Sequence, residues 1–590
     1  MSLDISANLK LIPFLKDAPK RALRAAAREA QWYSLKAGTP LFEVGELSTH
    51  IHFLLSGSLG AFRVPEFGEA EFIGHIRPGE PVGEMALFSG QDDDTTAPHS
   101  NSVFALRDCE IISISRDGFD RLIKAEPEIL EDLIRIILRR IRRAGQRSSQ
   151  SEPKVFTLVA TSPSIELEKR AEHLKTTLNQ IGLRATIIDK ESGDDKPSQF
   201  FDELERQNDI VILITELVDD SWYRTSVRQA DRVWILGRAD AVPSDPIMPR
   251  DNTPAQQFKL IDVVLLHQKR RELATTPGRW LSAASARRVF HWNGEEGDDC
   301  KRLARVMSGR SVGLVLSGGG ARAFAHIGVV RALRERGVAI DFSGGTSMGG
   351  VVAACVAMGW DDDEIDRRIR KGFVETNPLG DFNLPVVGLV SGKRVDRRLK
   401  EHFGDATIGD LEIPFFCVST NLTDGNSMIH QRGFVRHALR ASIALPGILP
   451  PIVSDGDVLV DGGILNNFPV SVMQNQHRGY IIGSDVSRTR RGFPADEFIS
   501  PPGFFGWVRK HGFSRTPPIA SLLMRSATVG IDPSAGKDMT DLYIAPEIVD
   551  LELRDWEAYD QAVKAGYDAT IKALDGGVFP FAPNLERADA

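Results

Sequence analysis

The chain has 590 residues, of which 42% are hydrophobic and 26% charged. That length exceeds one compact domain, and that balance excludes a largely disordered chain. The formal net charge of −8 lacks the basic excess of a dedicated nucleic-acid binder, so no nucleic-acid partner is expected.

The four cysteines, Cys109, Cys300, Cys355 and Cys417, are widely separated. They form no CxxC pair and no metal-ligand spacing, which predicts a reduced cytoplasmic protein with no metal. The N-terminus has no uninterrupted apolar h-region, and no run approaches 18 apolar residues, so neither a secretory signal nor a membrane-spanning helix is expected.

Residues 11 to about 120 are short apolar runs punctuated by glycine. Runs at 52–55 and 111–114 alternate with turns, which predicts a small all-β roll. Residues 127–147 then take helical spacing. Ile129, Leu130, Leu133, Ile134, Ile137, Leu138 and Ile141 are expected on one side. Arg135, Arg139, Arg142 and Arg143 are expected on the other, as a solvated face or a contact for acidic lipid or a partner. The polar stretch 148–153 reads as a linker.

From Val155 the pattern changes. Runs at 155–160, 185–188, 210–214 and 233–237 read as buried strands, and helical segments near 166–181, 200–207 and 222–230 separate them. Such alternation predicts a parallel α/β sheet. The segment contains neither GxGxxG nor GxxxxGK[ST], so it is read as structural or docking rather than nucleotide-binding.

A second α/β unit runs from near Ser311 to about Pro580. A strand at 312–316 leads into Ser317-Gly318-Gly319-Gly320-Ala321-Arg322, and a helix is predicted from Ala323 to Arg336. Three glycines at a helix N-terminus let main-chain amides crowd toward one point, which suits a phosphate cradle, an oxyanion hole or a plain tight turn. A second strand is predicted at 338–342, ending in the glycines of 344–350, with a small-residue helix at 351–358. Gly345-x-Ser347-x-Gly349 has the pattern of a nucleophile elbow. A serine hydroxyl needs a base. Asp461 ends an apolar run, in Leu459-Val460-Asp461-Gly462-Gly463, where it is a turn residue or a catalytic carboxylate. A Ser…Asp…His order would need His477 or His511, and neither has a supporting context. A Ser347–Asp461 dyad is therefore preferred. His326 falls inside the helix after the glycine loop and is expected to pack or cap.

SGGGARAFAHIGV, GGTSMGG and LVDGGILNNFP, in that order, resemble the patatin-like phospholipase family. The resemblance covers roughly 311–475. It implies Ser347 as nucleophile, Asp461 as base, Gly318, Gly319 and Gly320 as oxyanion donors, and Arg322 bracing the loop. Ser317 and Ala323 depart from the family's usual glycines. PFFCVST, ALRAS, PGILPP and, in the middle segment, Ser226-Val227-Arg228-Gln229-Ala230-Asp231 resemble the neuropathy target esterase branch. That likeness implies lysophospholipid or phospholipid substrates.

The β-rich N-terminus resembles a cyclic nucleotide-binding domain, in Phe53-Leu54-Leu55-Ser56-Gly57-Ser58-Leu59 and Pro81-Val82-Gly83-Glu84-Met85-Ala86-Leu87. The likeness implies that Gly83 and Glu84 belong to a phosphate-binding cassette, with Glu84 on the ribose hydroxyl. His99 stands where the family has an arginine. Histidine is mostly neutral at pH 7 and cannot fork two charged hydrogen bonds to phosphate. Acidic Gln91-Asp92-Asp93-Asp94 lies near the same site. The cyclic nucleotide is thus one candidate effector, and packing, a homo-oligomer contact or another ligand are the others. Residues 502–513 mix Phe504, Phe505, Trp507 and Phe513 with Arg509 and Lys510, which suits a membrane interface, a lid or ordinary core.

The expected architecture is multidomain: an N-terminal β-roll plus helix (1–147), a middle α/β domain (155–300) and a C-terminal patatin-like α/β hydrolase domain (311–580). The expected protein is a serine acyl hydrolase of lysophospholipids or phospholipids, cytoplasmic with peripheral membrane contact and needing no cofactor. The alternative is a nucleotide sensor or scaffold with a vestigial hydrolase.

Overall fold

The structure is a computed structural model. It describes residues 9–63, 71–84, 97–137, 153–247, 260–268, 277–487 and 535–576, apart from short stretches inside these ranges. The chain divides into two compact units. One holds 1–268 with 279–288 and 294–308; the other holds 269–278, 289–293 and 309–590.

The first unit opens with helix α1 (Lys20–Ala27) and a roll of two antiparallel four-stranded sheets. Strands β1 (Ala30–Leu35), β3 (His50–Ser56), β6 (Pro81–Val82) and β8 (Cys109–Ser115) form one sheet, in the order β1-β8-β3-β6. Strands β2 (Pro40–Phe42), β4 (Leu59–Arg63), β5 (Glu71–Ile76) and β7 (Ser102–Ala105) form the other, in the order β2-β7-β4-β5. Helix α2 (Arg116–Ala125) follows, capped where the Ser115 hydroxyl accepts the Gly118 amide. The next helical stretch, described from 128 to 137, corrects the expected apolar side. Ile129 and Leu133 are buried, but Leu130 and Ile134 are 36% and 46% exposed. One i, i+4 pair enters the core, and its neighbours are turned about 100° away from it. Arg139, Arg142, Arg143 and the acidic 91–94 stretch lie outside the described residues.

Five parallel strands of the middle domain lie in the order β10-β11-β9-β12-β13: β9 (Val155–Ala160), β10 (Ala185–Ile188), β11 (Ile210–Glu216), β12 (Arg232–Arg238) and β13 (Leu260–His267). Helices α3 (Leu167–Gln180), α4 (Ser198–Gln207) and α5 (Ser221–Gln229) connect the first of them. The β9–α3 connection, 161–166, contains no glycine or lysine to hold a phosphate.

Within this unit the β-roll and the middle domain are joined by charge. Arg107, just before β8, donates to Asp231 (2.8 Å from Nε) and pairs with Glu205 of α4. Asp231 also accepts the amides of Lys154 (2.7 Å) and Val155 (3.0 Å), where the linker ends. Arg228 reaches Asp108 at 3.2 Å. The Ser226–Asp231 motif is thus an interdomain clasp.

β14 (Arg288–Asn293) is divided between the units. The second unit is built on an eight-stranded sheet: β15 (Val312–Leu316), β16 (Phe342–Thr346), β17 (Phe415–Asn421), β18 (Asn426–His430), β19 (Ile452–Ser454), β20 (Asp457–Asp461), β21 (Tyr480–Ser484) and β22 (Leu542–Ile544). The order is β19-β20-β17-β16-β15-β21-β22, with β18 paired to β17. The run β17-β16-β15-β21-β22 is parallel, and β18, β19 and β20 are antiparallel additions. All five residues of β15 are buried, as an unbroken apolar run at the centre of a covered sheet requires. The helices that frame the site are α6 (Ala325–Glu335), α7 (Met348–Ala357), α8 (Asp362–Ile369), α9 (Lys393–Phe403), α10 (Val435–Ser442) and α11 (Tyr559–Asp575).

Two boundaries differ from expectation. Residues 338–341 are not strand; Asp341 instead accepts the Val312 amide at 3.0 Å and fixes the start of β16. β16 then includes Gly344 and Gly345, because the Phe416 ring covers Gly344 and would meet a Cβ there at 2.2 Å. The expected helix from Ala323 is a 3₁₀ turn, Gly320–Phe324, followed by α6.

Candidate active site

β15 and β16 are parallel, so their carboxyl ends deliver the glycine loop and Ser347 to the same edge of the sheet. Ser347 has φ +54° and ψ −131°, a strained conformation for a residue with a side chain. The glycines two positions either side are required by contact. A Cβ at Gly345 would lie 2.5 Å from the Leu316 carbonyl oxygen, and one at Gly349 would lie 2.4 Å from that of Ser317. The strand-to-helix turn packs that closely on the neighbouring strand. α7 begins at Met348, so Gly349 and Gly350 form its first turn rather than preceding it.

Ser347 Oγ donates to Asp461 Oδ2 at 2.6 Å. Asp461 ends β20, is 2% exposed, and accepts the Gly463 amide on Oδ1 at 2.8 Å. Burial pushes its carboxyl up to about 6, and the bonds from Ser347 and Gly463 pull the other way.

The three glycines after Ser317 are not equivalent. A Cβ at Gly318 would lie 3.2 Å from Ser347 Cβ, so the loop touches the nucleophile. The Gly318 amide, however, donates to the Asn467 carbonyl at 3.1 Å, and Asn467 Nδ2 returns a bond to the Gly318 carbonyl at 3.1 Å. That corrects the expectation that Gly318 is an oxyanion donor. Gly319 and Gly320 are the remaining candidates; Gly320 has φ +56°. Arg322 lies in the 3₁₀ turn that follows. Its amide donates to the Gly319 carbonyl at 3.2 Å, whereas its buried Nε has no partner. The brace the structure shows is that main-chain bond. Ser317 accepts the Val486 amide (2.9 Å), a use for the hydroxyl that a glycine would not supply.

His326 packs as expected, fully buried between Ser484 Oγ (2.9 Å) and the Ser317 carbonyl (2.9 Å). His477 lies away from Ser347. Its ring stacks on Phe342 at 4.9 Å, at the opposite end of β16 and roughly 16 Å from the nucleophile at strand rise. His511 and nearly all of 502–513 lie outside the described residues. Sequence reasoning missed the supporting roles of Ser442, which accepts the Ser347 amide at 2.9 Å, and of Asn467. Both sit in motifs noted for family likeness alone.

In the β-roll, Gly83 has φ +86° and is ringed by histidines; a Cβ there would lie 3.4 Å from the His99 ring and 3.5 Å from that of His52. Glu84 is 3% exposed. His99 stacks on Phe42, with centroids 3.6 Å apart and planes 10° apart. Burial lowers its pKa, against a smaller opposing pull from Glu46, so the ring is neutral at pH 7. Gly83 and His99 therefore do come together, with a neutral ring at the place where the likeness leads one to expect an arginine. Among the described residues, no helix is long and apolar enough to cross a membrane.

Comparison with known proteins agrees with this order of parts. Family models match a cyclic nucleotide-binding domain at 33–126, a Neuropathy Target Esterase family P-loop like domain at 154–293 and a patatin-like phospholipase at 314–473. An NTE family protein of Mycobacterium bovis is 29% identical over 589 residues, covering 97% of this chain and 96% of its own. Lysophospholipase NTE1 of Candida glabrata is 26% identical, covering 94% of this chain and 41% of the larger protein. Among solved structures, a cAMP-binding acyltransferase from Mycobacterium smegmatis aligns at 24% identity over 24% of this chain and 41% of its own, with a TM-score of 0.21.

A serine on a strained elbow in a mostly parallel sheet, with the three matched domains in series, defines a multidomain protein built around a patatin-like phospholipase domain. The chain therefore carries, in series, a cyclic nucleotide-binding domain, a Neuropathy Target Esterase family P-loop like domain and a patatin-like phospholipase domain, and along its length it is similar to NTE family proteins.

Proposed function

We propose that the chain hydrolyses the carboxylic esters of lysophospholipids or phospholipids through a Ser347–Asp461 dyad. The observation that carries this reading is the 2.6 Å bond from Ser347 Oγ to a buried carboxylate, beside a glycine loop. Asp461 takes the hydroxyl proton as Oγ attacks the ester carbonyl. The carbonyl oxygen becomes an oxyanion, and the Gly319 and Gly320 amides hold it. The intermediate collapses, the glyceryl oxygen leaves, and protonated Asp461 returns its proton to that oxygen. Water, deprotonated by Asp461, then attacks the acyl-serine; the acyl–Oγ bond breaks, Asp461 returns the proton to Ser347 Oγ, and the fatty acid leaves. No step needs a metal or an organic cofactor. Substrate in a bilayer or micelle calls for peripheral membrane contact.

An alkyl fluorophosphonate should label the wild type and leave Ser347→Ala unlabelled. Equal labelling of both overturns the assignment.

The same reading extends to the β-roll. With a neutral, stacked His99 in place of an arginine, two charge-assisted bonds to the cyclic phosphate are missing, a loss of roughly 3 kcal/mol or more. Calorimetry on the full chain at pH 7 should show no cAMP or cGMP binding tighter than about 10 μM. Binding well below that concentration overturns this part.

A further inference from the structure

Ser347 lies in neither of the elements it joins: β16 ends at Thr346 and α7 begins at Met348. Its main-chain amide falls between strand ladder and helix, so its partner has to come from elsewhere. That partner is Ser442, the last residue of α10, fully buried and 95 residues away. The Ser442 hydroxyl accepts the Ser347 amide at 2.9 Å and donates to the Val418 carbonyl of β17 at 2.7 Å.

The same stretch holds the base. Two residues on, the Ala444 carbonyl accepts the Asp461 amide at 2.9 Å. Ser419, next to Val418, is the ladder partner of Asp461. Residues 442–444 are thus bonded to the main chain of both dyad members. They are anchored from behind by Arg440, which is buried and donates to Asp396 of α9 at 2.8 Å and to the Pro450 carbonyl at 3.2 Å. The elbow needs such ties. A serine at φ +54° and ψ −131° is strained, and strain persists only where the surroundings over-determine it.

We infer that Ser442 is a positioning residue, whose hydroxyl holds the strained elbow so that Ser347 Oγ stays within hydrogen-bond reach of Asp461. Both of its bonds described above go to main chain, so it acts through Ser347 and is not itself catalytic. The inference rests on the hydrolase reading above.

Ser442→Ala removes both bonds. With p-nitrophenyl butyrate its kcat should fall about 10–100-fold, the scale of a misplacement near 1 Å. Its KM should stay within about threefold, because no group on the substrate is lost. The bond from Ser347 pulls the Asp461 carboxyl down, so a loosened elbow should move the midpoint of the kcat/KM profile upward from about 6. Ser343→Ala separates this role from plain stability. Ser343 is fully buried, and its hydroxyl ties β16 to α7 through the Ala353 carbonyl at 3.0 Å. Its loss should also lower the urea midpoint, yet keep kcat within about threefold and the pH midpoint unmoved.

A kcat within about threefold of wild type in Ser442→Ala, an equal kcat loss in Ser343→Ala, or a kcat loss with an unmoved pH midpoint overturns the inference. If Ser442→Ala does not fold, Ser442→Cys, which keeps the shape and a weak donor and acceptor, carries the same test with a loss of about threefold or more. A wild type that leaves the butyrate ester intact, or a Ser347→Ala that still turns it over, overturns the hydrolase reading itself. Full turnover in Ser442→Ala beside an inactive Ser347→Ala overturns the positioning role alone.

Discussion

Replacing Asp461 by asparagine should lower kcat by roughly 10³–10⁴-fold, near the upper end for loss of a general base. Among the described residues, the two histidines the sequence offers near the motifs are engaged elsewhere. His326 is tied to Ser484 and Ser317, and His477 stacks on Phe342 at the far end of β16. His477→Ala should accordingly retain most turnover. Turnover within tenfold of wild type in Asp461→Asn, or its collapse in His477→Ala, overturns the dyad. The pH profile gives a second reading. Burial raises the Asp461 carboxyl to about 6, and only the ionised form accepts the serine proton. The kcat/KM of the wild type should rise with pH through about 6 and level off above it.

Stability should move the opposite way. The folded carboxyl titrates above its ordinary 3.8, so folding favours the protonated form. Stability therefore falls as pH rises from about 4 to about 6 and stays reduced above that. Asp461→Asn does not titrate. It should be the more stable protein at pH 8, by roughly 2–3 kcal/mol at most, with the difference vanishing near pH 4. A denaturation series at the two pH values reads this directly. A variant that melts higher and turns over almost nothing is the expected signature of a carboxylate held ionised for chemistry at a cost in stability.

The elbow and the Asp461 turn were legible because close packing is written into sequence as glycine. Gly345 and Gly349 each lie where a Cβ would strike main-chain oxygen, and Gly462 likewise meets the Val418 carbonyl at 2.2 Å. The end of β16 was misplaced for the same reason reversed. Glycine usually marks the end of a strand, but at Gly344 it makes room for the Phe416 ring. The inequality of Gly318 and its neighbours could not be read, because three identical residues differ only in where their amides point. Ser442 and Asn467 act on main-chain groups 95 and 149 residues away, and such contacts leave no periodic trace. In the β-roll the resemblance puts His99 where the family has an arginine, but gives no sign that Phe42 stacks on it.

The middle domain hides a buried ion cluster in the same way. Asp262 interrupts the apolar β13 and is fully buried. Its carboxylate accepts Arg288 Nε at 2.8 Å, Arg232 Nη1 at 3.0 Å and Trp234 Nε1 at 3.1 Å. Burial alone would raise its pKa; Arg288 and Arg232 outweigh burial and hold it below the usual carboxylate range. Removing it takes this counter-charge away from two buried guanidinium groups. Asp262→Ala should destabilise by about 3–5 kcal/mol, the range for breaking a buried ion cluster from one side. Trp222 and Trp234 are both fully buried in this domain, so the loss should show as an earlier urea transition in tryptophan fluorescence. Asp262→Asn separates charge from shape. It keeps the side-chain volume and an acceptor for Trp234 but not the charge, so it should cost most of what Asp262→Ala costs. If it costs less than about 1 kcal/mol, the arginines find compensation elsewhere and the ion cluster is not what holds β12 and β13 together.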